Sequence, residues 1–112
     1  MKRKLNVITS LLILTVAVTL ILTVTASAYS TVKYGANNND VKTMQTMLNT
    51  VMNSNLSVDG KFGPATLSAL KSYQKSSSLQ VDGICGPKTW EKLEKDYNYI
   101  LAQIRVKFNM IL

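Results

Sequence analysis

The chain has 112 residues, with 13 Lys and Arg against 6 Asp and Glu, no His and a single Cys. His is the usual ligand of catalytic zinc and the usual base beside a Cys or Ser nucleophile, so its absence argues against those classes of hydrolase. A lone Cys also excludes a disulfide within the chain, so packing must stabilise the fold.

The first segment has the three-part pattern of a secretory signal peptide. Residues 2–4 are all cations, residues 5–24 form an uncharged and mainly apolar run, and the tripeptide Ala-Ser-Ala follows at 26–28. We predict a signal peptide at 1–28, cleaved after Ala28. The run is also long enough to cross a bilayer, so an uncleaved N-terminal anchor stays open as the alternative. In both cases the rest of the chain is exported.

Beyond residue 28 the chain has 84 residues (112 less 28), which is room for one small domain. This part keeps 10 of the 13 cations and all 6 carboxylates, a net charge of +4. A modest positive charge suits an anionic envelope polymer or a membrane surface, and export argues against nucleic acid as a partner. The same excess of cations would also serve solubility alone.

The first predicted helix follows a run of Asn. Val41, Met44, Leu48 and Val51 recur at helical spacing, and Met47 widens their apolar stripe. Asn39 or Asp40 is the predicted N-cap, because both side chains can accept a hydrogen bond from the first turn.

An internal repeat follows. Residues 56–70, LSVDGKFGPATLSAL, match residues 79–93, LQVDGICGPKTWEKL, at an offset of 23. Asp-Gly is a turn signal, and Gly-Pro before a helical pattern places Pro at the first helical position. The Leu-x-Val before each turn predicts a short extended piece with both side chains inward. The residues that we assign to loop structure are Asp59, Gly60, Gly63, Pro64, Asp82, Gly83, Gly86 and Pro87.

Two further helices are predicted after the two prolines. Leu67, Leu70 and Tyr73 recur at helical spacing after the first, and Trp90, Leu93 and Tyr97 after the second. Two copies are too few for a solenoid, so the sequence favours an all-α, compact three-helix bundle with two equivalent DGxxGPxT loops.

These motifs together resemble a known family. GANNNDVKTMQTMLN, VDGKFGPATLSALKSYQ and LQVDGICGPKTWEKL are similar to the type-1 peptidoglycan-binding domain, a three-helix module of cell-wall hydrolases and spore-cortex enzymes. The resemblance implies a domain at 34–96 that binds peptidoglycan without a cofactor, in a secreted, wall-associated bacterial protein. Asn and Ser replace the family's glycines around Asn53 and Ser78, and Asn39 replaces another; Asn tolerates the left-handed conformation.

A binder of peptidoglycan needs donors, an apolar surface and cations for acetylated sugars and peptide carboxylates. The ligand-binding candidates are Lys61, Phe62, Tyr73, Gln74, Lys88 and Trp90. Core packing is the alternative for the three aromatic residues, and a solvated position is the alternative for the two lysines. Cys85 occupies the repeat position of Phe62, which predicts a small core residue rather than a reactive thiol.

Five of the six carboxylates have explanations in the turns and helix starts, and a structural role is favoured for all six, so no catalytic residue and no metal ligand is assigned and the protein is predicted not to be an enzyme. Two alternatives remain. One is an enzyme whose catalytic residues are among those assigned a structural role; the other is a protein-interaction module or targeting remnant of a wall hydrolase. A membrane contact is expected only if the signal is uncleaved.

The last segment, 97–112, has no counterpart in the family pattern. Ile100, Leu101 and Ile104 could extend the third helix. Ile104, Val106 and Phe108 could equally alternate as a strand. An apolar tail of this kind packs on the bundle or contacts a protein partner.

Overall fold

A computed structural model describes residues 28–111, so the predicted signal peptide lies outside the described residues except for Ala28. The described part contains three helices: α1 at Asn39–Met52, α2 at Pro64–Ser76 and α3 at Pro87–Ile111. Only isolated bridges, and no strand, occur between residues 28 and 111. The prediction of an all-α fold with three helices is confirmed.

The N-cap of α1 differs by one residue from the prediction. Asn38, not Asn39 or Asp40, caps the helix: its backbone is extended and its Oδ1 accepts from the N–H of Val41 at 3.0 Å. Asp40 lies in the first turn and accepts instead from the backbone N–H and the hydroxyl of Ser30. Any of three consecutive polar residues could cap a helix here, and the contact with Ser30 is invisible to local sequence reasoning.

The helix ends and starts follow the local chemistry of the sequence. Asn53 closes α1 in the left-handed conformation with φ 54°, and Ser78 adopts φ 57° after α2. Both are positions where the family uses glycine, which has no Cβ to strain at positive φ. Pro64 and Pro87 open α2 and α3, where a missing N–H costs no hydrogen bond.

The core lies between the three helices and the connections that join them. Every side-chain nitrogen and oxygen buried in the described part has a hydrogen-bond partner. Within residues 28–111, the apolar side chains of this core all lie between residues 29 and 97. The buried apolar side chains are Val32, Val41, Met44, Met47, Leu48, Phe62, Leu70, Tyr73, Cys85, Trp90 and Leu93. The prediction of Cys85 as a small core residue is confirmed.

The segment before α1 crosses both connections between helices. Val32 pairs with Cys85 through two backbone hydrogen bonds of 3.1 and 2.9 Å, and the N–H of Phe62 donates to the carbonyl of Ala36 at 2.9 Å. Tyr29 stacks on Trp90 with ring centroids 4.4 Å apart. Packing therefore begins five residues before the boundary at 34 that the family resemblance implies.

The last segment continues α3 as a helix to Ile111, so the helical alternative is confirmed and the strand alternative is wrong. From Leu101 to Ile111 every residue is exposed. None of the helices described between residues 28 and 111 is long and apolar enough to cross a membrane.

Candidate functional site

A buried glutamine of α1 holds the first connector, which we define as residues 53–63. The Gln45 Nε2 group shares its two hydrogens among three acceptors, each at 3.0 Å: the Asp59 carboxylate, the Lys61 carbonyl and the Thr66 hydroxyl. Its Oε1 accepts from the backbone N–H groups of Asp59 and Gly60 at 3.1 and 2.9 Å. One side chain thus fixes the turn and the start of α2, since all its polar atoms are used inside the protein.

A second buried glutamine holds the second connector, residues 77–86, in the same way. The Gln74 Nε2 group donates to the Asp82 carboxylate and the Ile84 carbonyl, both at 2.9 Å, and to the Thr89 hydroxyl at 3.3 Å. Its Oε1 accepts from the N–H of Gly83 at 2.9 Å. Asp82 and Thr89 are the repeat equivalents of Asp59 and Thr66, which bind the first glutamine. The repeated motif therefore encodes a binding site for a buried glutamine amide of the same chain.

Sequence reasoning missed Gln45 and interpreted Gln74 as a ligand contact. Val41, Met44 and Gln45 correspond to Leu70, Tyr73 and Gln74, but at an offset of 29 rather than 23. The step from glutamine to Asp-Gly is fourteen residues from Gln45 to Asp59 and eight from Gln74 to Asp82; five of the six additional residues lie in the last turns of α1, so the connectors themselves differ by one residue. Searching for the helix pattern at a second offset would have found this equivalence.

A side chain from the additional length of α1 holds the start of the first connector. The Asn49 amide donates to the carbonyl of Leu56 at 2.8 Å and accepts from its N–H at 2.6 Å. Asn53 and Asn55, both at positive φ, turn the chain on the way. After this longer path Leu56 packs against the core, as Leu79 does after the shorter one.

Each connector borders an open groove. The first has a volume of about 220 Å³ and the second of about 410 Å³. Eight lining positions of the first groove, between Leu56 and Thr66, correspond one by one at the 23-residue offset to the eight lining positions of the second, between Leu79 and Thr89. The duplication of the sequence is therefore a duplication of a surface depression.

The two grooves differ where the repeat differs. Lys61 of the first groove is replaced by Ile84 in the second, and Ala65 by Lys88. The second groove thus combines an exposed apolar side chain with a cation at the start of α3, where peptide dipoles also favour an anion. Gln80, in place of Ser57, adds an amide to the same wall.

The six predicted ligand-binding residues fall into two groups. Lys61 and Lys88 are exposed and line the grooves. The other four are almost fully buried, with exposed fractions of 3% or less: Phe62, Tyr73, Gln74 and Trp90. Direct ligand contact by these four stays a prediction that no comparison tests, and their burial favours the core-packing alternative.

Trp90 illustrates why core packing is favoured. One face of its ring lies against Tyr29, and its Nε1 donates to the carbonyl of Ser30 at 3.0 Å. Tyr73 likewise donates its hydroxyl to Asp96 at 2.8 Å. Burial, and then the nearby carboxylate, raise the pKa of Tyr73 well above its ordinary value, so the phenol stays protonated.

The expected inward position of both Leu-x-Val side chains is wrong for the valines. Leu56 and Leu79 pack against the core, but Val58 and Val81 are 42% and 49% exposed. The bends lie at Asp59-Gly60 and Asp82-Gly83, where the glutamine amides hold the turns, so each valine directly precedes a surface turn and remains exposed.

The carboxylates of the two turns have lowered pKa values for the same main reason, a hydrogen bond from a backbone N–H group. The pKa of Asp59 is lowered by the N–H of Lys61 and then by the Gln45 amide, and the pKa of Asp82 by the N–H of Ile84, with the Gln74 amide adding to it. Hydrogen bonds to the charged form favour that form. Between residues 28 and 111 no group of three or more His, Cys, Asp or Glu could hold a metal ion.

Comparison with known proteins identifies the family. The sequence model described as "Putative peptidoglycan binding domain" matches residues 37–93, about half of the chain, and this range includes α1, α2 and both connectors. The chain belongs to this family. A comparison with curated proteins found no match.

Several solved structures have a similar fold. The SleB N-terminal domain is 35% identical with a TM-score of 0.60, and the alignment covers 64% of this chain and 99% of that one. A peptidoglycan-binding protein from Clostridioides difficile, solved with glutamine hydroxamate, is 40% identical with a TM-score of 0.56 over 61% of this chain. A Burkholderia AP3 phage endolysin is 35% identical with a TM-score of 0.53 over 59% of this chain. The chain spans 42% of the clostridial protein and 25% of the endolysin.

Proposed function

We propose that this protein is an exported, non-catalytic module that binds bacterial peptidoglycan non-covalently. The observation that carries the proposal is the family match over 37–93, the range that builds both grooves. The clostridial relative is itself named a peptidoglycan-binding protein, which supports the wall as the ligand. The role of the module is to hold the chain at the cell wall.

The second groove is the proposed main contact. It is the larger of the two and offers Ile84 as an apolar surface, Gln80 as a hydrogen-bonding group and Lys88 as a cation. These groups match the acetyl methyl, amide and carboxylate groups of peptidoglycan. Lys61 in the first groove is the proposed secondary contact, and the buried candidates act indirectly by shaping the groove walls.

The non-catalytic part of the proposal is supported by residue chemistry. The sequence contains no His, and the pKa of the one thiol, Cys85, is raised to about 12, chiefly by burial. A thiol with so high a pKa is a poor nucleophile at neutral pH. The lowered pKa values of Asp59 and Asp82 oppose a role as general acid, which requires a raised one.

Export is supported by the three-part pattern of residues 1–28 and by the ligand, which lies outside the cytoplasm. The proposed location is therefore the cell wall.

The test is co-sedimentation of residues 29–112 with purified, fluorescently labelled sacculi. We expect saturable binding and no release of soluble fragments. We expect Lys88→Ala to weaken binding by roughly tenfold, the value of a lost charge-assisted hydrogen bond, and Lys61→Ala to weaken it less. Lys75→Ala, an exposed lysine outside both grooves, is the matched control and should bind normally.

Two results would contradict the proposal. If the protein stays in the supernatant, peptidoglycan is not its ligand. If labelled fragments appear in solution, the protein is a hydrolase. Equal losses of binding for Lys75→Ala and Lys88→Ala would show that binding depends on the overall positive charge and not on the second groove.

A further inference from the structure

Within residues 28–111, the end of α3 extends beyond the core. Tyr97 is the last residue of α3 that packs against the core, and all residues from Leu101 to Ile111 are exposed. At 1.5 Å per residue the segment beyond Tyr97 projects by roughly 20 Å. We define residues 98–111 as the tail.

The tail has an apolar stripe along one side. At 100° per residue its members fall within about 120° of the helix circumference and continue from Tyr97. Their exposed fractions reach 54% at Ile104, 59% at Phe108 and 83% at Ile111. Such large apolar side chains on a projecting helix form a contact surface that nothing else in the described chain covers. The stripe consists of Ile100, Leu101, Ile104, Phe108 and Ile111.

Two cations flank this stripe. Arg105 and Lys107 lie on opposite sides of it, roughly 70–90° from its centre on a helical projection. Long cationic side chains at the border of an apolar face can reach phosphate groups while the apolar side chains enter the acyl region. The opposite side of the helix carries a narrower row of Tyr99, Val106 and Met110 among amides.

The charge of the tail indicates what covers the stripe. No Asp or Glu follows Asp96 in the sequence, and Asp96 itself is engaged by Lys92 at 2.6 Å and by Tyr73. A second copy of the tail would add two more cations beside the same stripe with no Asp or Glu to offset them. An anionic lipid surface supplies both the apolar depth and the negative charge.

We propose that the tail is an interfacial helix that docks on an anionic lipid bilayer, with the stripe in the boundary between headgroups and acyl chains and with Arg105 and Lys107 on lipid phosphates. This proposal is independent of the peptidoglycan-binding proposal. It gives α3 two functional ends, since Lys88 and Phe108 lie roughly 30 Å apart along one continuous helix. The protein would then link the wall to the membrane surface.

The test is flotation of residues 29–112 with phosphatidylcholine vesicles that contain or lack phosphatidylglycerol. Residues 29–97 contain the core. The SleB N-terminal domain, 99% of which aligns with this chain, has been solved as a separate domain, so residues 29–112 are a suitable fragment for this test. We expect flotation with the anionic vesicles only, weakening as salt is added. Ile104→Ser with Phe108→Ser should reduce binding at least tenfold. Arg105→Gln and Lys107→Gln should each reduce it roughly fivefold.

The matched control is Val106→Ser with Met110→Ser, which removes exposed apolar side chains from the opposite side of the same helix. This variant should bind within about twofold of the unsubstituted protein. Failure to float with anionic vesicles overturns the proposal, as does an equal loss in the control. Dimerisation in analytical ultracentrifugation that Phe108→Ser abolishes, without any flotation, would assign the stripe to a second copy instead.

Discussion

The two connectors solve one structural problem after helices that continue for different lengths beyond their glutamines, and they present different surfaces. Both present a turn to a buried glutamine amide, but the chain needs fourteen residues from Gln45 to Asp59 and only eight from Gln74 to Asp82. In the first unit the longer helix supplies the Asn49 clamp, two left-handed asparagines follow it, and the groove is the smaller. In the second unit the helix ends two residues after its glutamine, and the groove is larger and more apolar. The comparison teaches that the binding site for the amide is the fixed part of the repeat, whereas the groove beside it is free to diverge.

The largest effect should come from removing the amides. Gln45→Leu leaves five hydrogen bonds unmade and Gln74→Leu four, in positions where water cannot replace all of them. We expect each to lower the free energy of unfolding by about 3 kcal/mol, with Gln45 at least as costly. Urea unfolding of residues 29–112 measures this, with the exposed Gln80→Leu as control. A decrease in the free energy of unfolding below about 1 kcal/mol at either position would show that the glutamine there does not anchor its connector.

The turn glycines should differ between the connectors. Gly60 and Gly83 have φ of 77° and 70°, so alanine is strained at both. A Cβ at 60 would lie 3.0 Å from the backbone carbonyl oxygen of Asn38, whereas one at 83 would meet the Leu67 and Lys71 side chains, whose ends can move. We expect Gly60→Ala to cost about 2–3 kcal/mol and Gly83→Ala about 1–2 kcal/mol in thermal unfolding.

Gly63→Ala is the control for both glycines, because a Cβ at this position would have no atom within 4 Å and its φ is not positive. A larger cost at Gly83 than at Gly60 would mean that Leu67 is held as rigidly as backbone.

The equivalent core positions Phe62 and Cys85 offer a test at high pH. Burial is the main reason why the pKa of Cys85 is raised to about 12 from an ordinary 9.0. The native state therefore retains a proton that the unfolded state releases, so this stabilisation is complete below pH 9 and is lost as the pH rises towards 12. Cys85→Ala should cost about 1 kcal/mol at neutral pH but flatten the decline above pH 9, measured by urea unfolding at each pH.

Thiol labelling gives an independent measurement at the same position. Iodoacetamide should label Cys85 slowly in the native state and rapidly in denaturant. Rapid native labelling would show that the second connector opens to solvent.

The smallest effect should distinguish the turn carboxylates. The pKa values of Asp59 and Asp82 are both lowered, so their stabilisation is present above the ordinary pKa near 3.8 and is lost as the pH falls through the lower native values. Only Asp59 has a lysine, Lys61, among the causes. We expect added salt to raise the pKa of Asp59 slightly and to leave that of Asp82 unchanged, as followed by NMR of the carboxyl carbons.

Lys61→Ile, which installs the residue of the second connector, should remove this salt dependence. A salt effect of equal size at Asp82 would instead assign it to the overall positive charge.

Much of the fold could be predicted from local patterns. The apolar spacing predicted α1, the two Gly-Pro pairs predicted the starts of α2 and α3, and the left-handed positions at Asn53 and Ser78 were indicated by the missing glycines. The candidate site was less predictable. The two lysine candidates line the grooves, and their contact with a ligand stays a prediction, whereas the aromatic candidates lie in the core, because an aromatic residue at helical spacing looks the same in both settings.

The sequence by itself determined the duplication, the helix starts and the apolar faces, because these depend on turn chemistry and periodicity within a few residues. Only the tertiary structure decided that Gln45 and Gln74 are anchors, that residues 29–38 cross both connectors and that the tail projects as a helix. The anchors and the crossing segment depend on hydrogen bonds between residues that are far apart in the chain. The projection of the tail depends on the absence of a packing partner among residues 28–111. Neither leaves a periodic signal in the chain.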